Sequence, residues 1–253
     1  MEYSDDFSDS RHKAWCIYCG KAIAGLDVNR DHVPTKSLLS KNLRDKGRRF
    51  DAGEDVPDGY LPQVVVCKEC NSGFSLDETY LLCVLHAVMA GSLYPNPATH
   101  AEAATILRSN RTIVRSLKQH PDGQLQLFDN LQPFTLYPDA QRISRVVLKN
   151  AQGHAYHELG EPKLDPPAQV SFLPVSQMSQ EQRDSFEEIG GGSDVWPEVG
   201  SRMLLRVIDG SSMAGGWVVV EEGRYRYALD WSDGLTVRTV IWEYLATETI
   251  WEV

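Results

Sequence analysis

Apolar residues recur at helical spacing in three stretches of the chain. Over about residues 76–90, Tyr80, Leu81, Val84, Leu85 and Val88 form one face, and Gly91 suits the helix end. Ser75-Leu76-Asp77-Glu78 precedes that face as a capping box, in which the first and fourth side chains satisfy each other's backbone N–H groups. Pro95 and Pro97 interrupt the pattern. It resumes over about 99–118 with Ala103, Ile106, Leu107, Ile113, Val114 and Leu117, and over about 139–158 with Ile143, Val146, Val147 and Leu148. Beyond about residue 165 the character changes. Residues 170–173 read as a strand, 179–189 as a short helix and Gly190-Gly191-Gly192 as a flexible link. Residues 203–208, 217–221, 225–231 and 235–243 then read as strands of a small antiparallel sheet, being rich in aromatic and β-branched residues with Gly or Asp-Gly turns between.

Ahead of the first helical stretch, residues 14–24 read as a knuckle in a short hairpin and 25–60 as loop with a basic middle. Val64-Val65-Val66 is a short β-branched run leading into a second knuckle. The expected fold class is α+β in three segments: an N-terminal module over 10–92, a helical region over 93–162 and a strand-rich α+β region over 163–253. No internal repeat or low-complexity segment is present.

With 42% apolar and 24% charged residues, the composition is that of a soluble globular protein. No apolar run approaches the roughly 18 residues of a membrane span, so no membrane partner is expected. The acidic start, MEYSDDFSDS, is not a secretory signal, and a cytoplasmic setting is expected. The net charge of −10 argues against a nucleic-acid partner, but its distribution does not. From Arg11 to Phe50 there are ten basic residues and three acidic ones, a local balance of +7 that leaves −17 elsewhere. Such a segment can supply phosphate contacts on an acidic protein.

Four of the five cysteines form two pairs, Cys16-x-x-Cys19 and Cys67-x-x-Cys70. In a reducing compartment they read as metal ligands before disulfides. Four thiolates suit a tetrahedral zinc ion and leave it no open position, so the zinc is expected to be structural. The 47 residues between Cys19 and Cys67 must loop out as an insert. Cys83 lies in an apolar helical run and reads as a buried small hydrophobe.

The insert contains Asn29-Arg30-Asp31-His32-Val33-Pro34-Thr35-Lys36-Ser37-Leu38, and the second knuckle runs directly into Asn71. An acid–histidine pair, a proline and a Lys-Ser-Leu, enclosed by two knuckles and closed by Cys-Asn, resembles the HNH endonuclease family. The resemblance covers about residues 14–90, a third of the chain. It implies a treble-clef-like ββα-metal core stapled by zinc at Cys16, Cys19, Cys67 and Cys70. It implies His32 as general base and Asp31 and Asn71 as ligands of a catalytic ion. The family's middle asparagine, which braces the loop, has no counterpart: its place falls near Tyr60 or Leu61. Glu78, seven residues beyond Asn71, shares that helical face and is a further candidate ligand, although the capping box accounts for it equally well.

These residue types suit phosphodiester hydrolysis. A neutral imidazole takes a proton from water near neutral pH. The oxygens of Asp31 and Asn71 are hard ligands that favour Mg²⁺ or Mn²⁺, and such an ion stabilises the leaving oxygen. On a strand, adjacent residues point to opposite faces, so Asp31 and His32 would approach a phosphate from different sides. The expected partner is nucleic acid, DNA ahead of RNA, with phosphate contacts from Arg30, Lys36, Arg48 and Arg49. The 163–253 region would choose the substrate, a protein partner or a second copy. The alternative is a catalytically inactive, zinc-stabilised module that binds nucleic acid or protein. The acidic balance and the missing asparagine favour it. His154-x-x-His157-Glu158 has ligand spacing but no third ligand, and reads as ordinary helix. Trp217, Tyr225, Tyr227, Trp231 and Trp242 read as core.

Overall fold

Two strands and a helix follow one another around the second knuckle. In the computed structural model, which describes residues 14–46, 61–118, 136–190, 196–210 and 213–252, Val28–His32 (β1) pairs antiparallel with Gln63–Cys67 (β2). The register sets Val28 opposite Cys67, Asp31 opposite Val64 and His32 opposite Gln63. A short helix, Lys41–Lys46 (α1), lies in the connection, and Lys68–Ala90 (α2) begins at the residue after β2.

Helix α2 therefore starts well before Ser75, and the expected capping box is not its beginning. The carbonyl of Ser75 accepts from Thr79 Oγ1 at 2.9 Å, as a residue inside a helix. The cap is instead a thiol. Cys67 Sγ accepts from the backbone N–H of Cys70 at 3.4 Å, the bond that an oxygen side chain makes to the third residue of an ordinary helix. The knuckle and the first turn are the same object. Cys83 lies further along α2 and is fully buried, and burial pushes its thiol up to about 11.

The second helical stretch divides into Ala101–Ser109 (α3) and Arg111–Lys118 (α4). Asn110 separates them, because its side chain accepts from the amide of Ile113 and caps α4. Ala140–Leu159 (α5) matches the third stretch, with Asp139 Oδ1 accepting from the amides of Gln141 and Arg142.

The C-terminal part is a six-stranded antiparallel sheet. Its strands are Gln169–Pro174 (β3), Met213–Ala214 (β4), Trp217–Glu221 (β5), Tyr225–Asp230 (β6), Leu235–Ile241 (β7) and Leu245–Trp251 (β8), in the order β3-β8-β7-β6-β5-β4. Gln180–Glu187 (α6) has a complete capping box between Ser179 and Gln182. Residues 203–208, expected as a strand, are helical within Arg202–Asp209 (α7). The flanks decide it: Ser201 Oγ accepts from the Leu204 amide, and Gly210 ends the helix at φ +67. Of the expected Gly190–192 link only Gly190 falls among the described residues.

Contacts divide the chain into two units, 1–73 with 147–253, and 74–146, so the divisions fall inside α2 and α5. In the second unit the buried Asp77 receives Arg142 Nε at 2.6 Å and Arg145 Nη1 at 2.8 Å. Arg142 also lies 4.2 Å over the ring of Tyr80, whose hydroxyl accepts from the Asp139 amide. In the first unit Cys16, Ile17, Val33, Val64, Val66, Cys67 and Tyr156 of α5 form one core cluster. A second, at the sheet, is built on Phe186, Trp217, Ala228, Val240 and Ala246. Among the described residues no helix is long and apolar enough to cross a membrane.

Candidate metal centre

Four sulfurs from two knuckles converge. The ligand atoms of Cys16, Cys19, Cys67 and Cys70 all lie within 4.8 Å of one another, and Cys19 Sγ is 3.8 Å from Cys67 Sγ. A tetrahedral zinc ion with bonds of about 2.3 Å sets its sulfurs about 3.8 Å apart, so this group fits the ion. The first knuckle turns tightly: Gly20 N donates to the Cys16 carbonyl at 2.8 Å, and Cys16 N to the Lys21 carbonyl at 2.9 Å. Gly20 sits at φ +68, a backbone conformation that calls for glycine. The second knuckle is the start of α2, where the helix dipole favours thiolate.

Without a cation, Cys19 and Cys70 resist ionising. Burial and the thiols around it push Cys70 far above the usual range, and burial raises Cys19. At Cys67 burial acts in the same direction, but the Cys70 amide and the neighbouring thiols outweigh it and hold the group below its ordinary value. One divalent cation would offset the desolvation and the mutual repulsion at once. Exposed ion pairs flank the centre, Lys21–Glu69 at 3.0 Å and Lys68–Asp27 at 2.8 Å. Being exposed, they add little stability.

The other site residues expected from the sequence are placed as follows. Asp31, near the end of β1, is buried and already partnered. Lys149 of α5 sets its ammonium 3.0 Å from both carboxylate oxygens, and the Tyr18 hydroxyl donates to Oδ2 at 2.8 Å. Lys149 is itself only 1% exposed and also donates to Thr35 Oγ1 at 3.1 Å. His32, half-buried, meets its cross-strand partner, with Nε2 2.9 Å from Gln63 Nε2. Asn71 is half-buried in the first turn of α2. Along β1, Asp31 stands three residues, about 10 Å, from Val28, the residue opposite Cys67. Among the described residues Asp31 and His32 belong to no group of three or more His, Cys, Asp and Glu side chains that could hold an ion. Glu78 lies inside α2, two turns beyond Asn71, so the capping explanation for it lapses. Arg30 and Lys36 are exposed, whereas Arg48 and Arg49 lie outside the described residues.

Sequence reasoning missed Lys149 and Asn150. The Asn150 side-chain oxygen accepts from the backbone N–H of Thr35 at 2.9 Å, three residues beyond His32. The dipeptide interrupts an apolar run, Val146-Val147-Leu148 before it and Ala151 after, and that interruption was the available signal. His154 and Glu158 are not the plain helix residues expected either. His154 stacks on Tyr227 at 3.8 Å and bonds Tyr225 Oη at 2.9 Å. Glu158 accepts from Tyr227 at 2.6 Å and from Arg206 Nε at 2.8 Å. The group is buried and ties α5 to β6 and α7.

Comparison with known proteins adds no family: no family model matches the chain, and no curated protein or solved structure is a match to it.

Proposed function

We propose that this chain is a metal-dependent HNH-type endonuclease hydrolysing phosphodiester bonds of DNA. The observation that carries the reading is the order β1-β2-α2 around four convergent sulfurs, with Asp31-His32 closing the first strand and Asn71 in the helix's first turn. In this reading the segment is a treble-clef-like ββα core and its zinc is structural. His32 takes the proton from the attacking water, and Asp31 and Asn71 hold Mg²⁺ or Mn²⁺. Arg30 and Lys36 are exposed for phosphate contact.

One observation favours the second reading, an inactive zinc-stabilised module that binds nucleic acid or protein. With Lys149 on both oxygens and Tyr18 on Oδ2, the Asp31 carboxylate keeps one in-plane lone pair, on Oδ1. A metal must share the group with an ammonium. Supercoiled plasmid and a single-stranded RNA, incubated with Mg²⁺ or Mn²⁺ and wild type or His32→Ala, separate the readings. Metal-dependent nicking of the plasmid that disappears in His32→Ala supports the nuclease. Equal residual cutting by both proteins, or cutting of RNA alone, overturns the DNA endonuclease.

A further inference from the structure

We infer that Lys149 and Asn150 of α5 are positioning residues of the candidate site, holding the 33–40 loop and the Asp31 carboxylate from outside the zinc-stapled module. The inference rests on the nuclease reading for its chemistry but not for its geometry. The loop that follows Asp31-His32 has almost no regular structure of its own beyond a short 3-10 turn at Lys36–Leu38. Long-range bonds fix it instead. Val33 N donates to the Pro62 carbonyl at 2.9 Å, Thr35 N to Asn150 Oδ1 at 2.9 Å and Ser40 N to Glu221 Oε2 at 2.8 Å. The Leu38 carbonyl accepts from Trp242 Nε1 at 2.7 Å.

Helix α5 supplies the hold nearest the chemistry, and three features of its sequence make that possible. Gly153 lets the helix approach, since a Cβ there would stand 2.9 Å from Val33 Cγ2. Lys149, one turn before it, reaches Asp31 and Thr35 Oγ1 together. Asn150, 3% exposed, takes the Thr35 amide and gives that buried backbone group its acceptor. Thr35 is thus held at backbone and side chain by adjacent residues of one helix. The effect is to fix where the carboxylate at the end of β1 points. Asn150 thereby does for the loop what the asparagine absent near Tyr60 or Leu61 would do. Its Nδ2 has no protein acceptor among the described residues, so an aspartate at this position keeps the bond to Thr35 and gives up none to protein.

The test is amide hydrogen exchange on the full chain. In Asn150→Leu, the Thr35 amide should exchange about tenfold faster than in wild type, while amides of β7 keep their protection. Asn150→Asp should restore slow exchange at Thr35. Should Asn150→Leu unfold globally, the comparison of Asn150→Asp with Asn150→Ser, whose shorter side chain withdraws the acceptor, replaces it. Unchanged Thr35 exchange in Asn150→Leu, or fast exchange in Asn150→Asp, overturns the bracing role. If wild type nicks plasmid, Asn150→Leu should lower kcat more than it raises KM, and Asn150→Asp should recover kcat. If wild type does not nick, the nuclease reading falls, and the exchange result still decides the positioning.

Discussion

Lowering the pH from 8 to 5 should weaken this fold through one buried histidine. His154 stacks on Tyr227 and bonds Tyr225, fully removed from solvent, and that burial depresses its pKa from 6.5 to about 3 against the raising effect of Glu158. The native value lies below the unfolded one, so the unfolded chain takes up a proton that the native chain refuses. Stability from this group is therefore complete above pH 6.5 and is lost as pH falls from there toward 3. At pH 5 the unfolded histidine is almost wholly protonated and the native one is not, which amounts to about 2 kcal/mol of lost stability. Urea unfolding of wild type and His154→Phe at pH 8 and pH 5 measures it. The variant loses stability at pH 8 but escapes the histidine's part of the acid loss, so the gap between the proteins should shrink by about 2 kcal/mol at pH 5. A gap constant to within 0.5 kcal/mol, on the order of the error of such melts, would falsify the neutral buried histidine.

Other perturbations test the neighbouring contacts. Lys149→Met strands a buried carboxylate and should cost about 3–5 kcal/mol, whereas Asp31→Leu with Lys149→Met should recover most of it in the same urea melts; a single-variant loss under 1 kcal/mol, the range of exposed pairs, would place the pair in water. Gly153→Ala, which in an exposed helix gains about 1 kcal/mol, should here lose about 1–2 kcal/mol, because the new methyl meets the stiff Val33 side chain; a rise in melting temperature contradicts the close approach. Metal analysis should find about one zinc per chain, lost in Cys16→Ser or Cys67→Ser together with the fold of the N-terminal part; a metal-free, folded wild type counts against the staple.

The sequence made the metal centre legible and the environment of Asp31 illegible, for different physical reasons. Two Cys-x-x-Cys pairs state their chemistry locally, since each puts two sulfurs on one turn. Helix α5, the strands from Trp217 to Ile241 and the capped helix α6 also follow from local periodicity and caps. What failed were cases where a local rule met a competing one. Ser75–Glu78 has the form of a capping box, but the thiol of Cys67, eight residues before Ser75, already caps the helix. The apolar run at 203–208 suits a strand, but Ser201 and Gly210 close it as a helix. Strand β8 went unread because Trp242 and Glu243, at φ 57 and 47, make a hairpin turn without glycine. That conformation is unfavourable for a tryptophan, and it persists where the buried indole bonds the Leu38 carbonyl.

Lys149 and Asn150 were hidden in another way. A lysine in a helix reads as solvated, and only its partner, 118 positions away, shows otherwise. Yet Gly153 beside them keeps α5 thin on that side, and a thin helix face bearing a lysine and an asparagine needs a polar surface close against it. The Asp31–Thr35 loop is that surface. The consequence bears on function. The carboxylate expected to bind a catalytic ion is held by a residue outside the sequence motif, so mutating the motif alone tests only half of the site. Activity that survives Lys149→Met while failing in His32→Ala would mean that the ammonium merely neutralises Asp31. Activity lost in both, with Lys149→Met still folded in the urea melts, would mean that the site needs α5 to position Asp31.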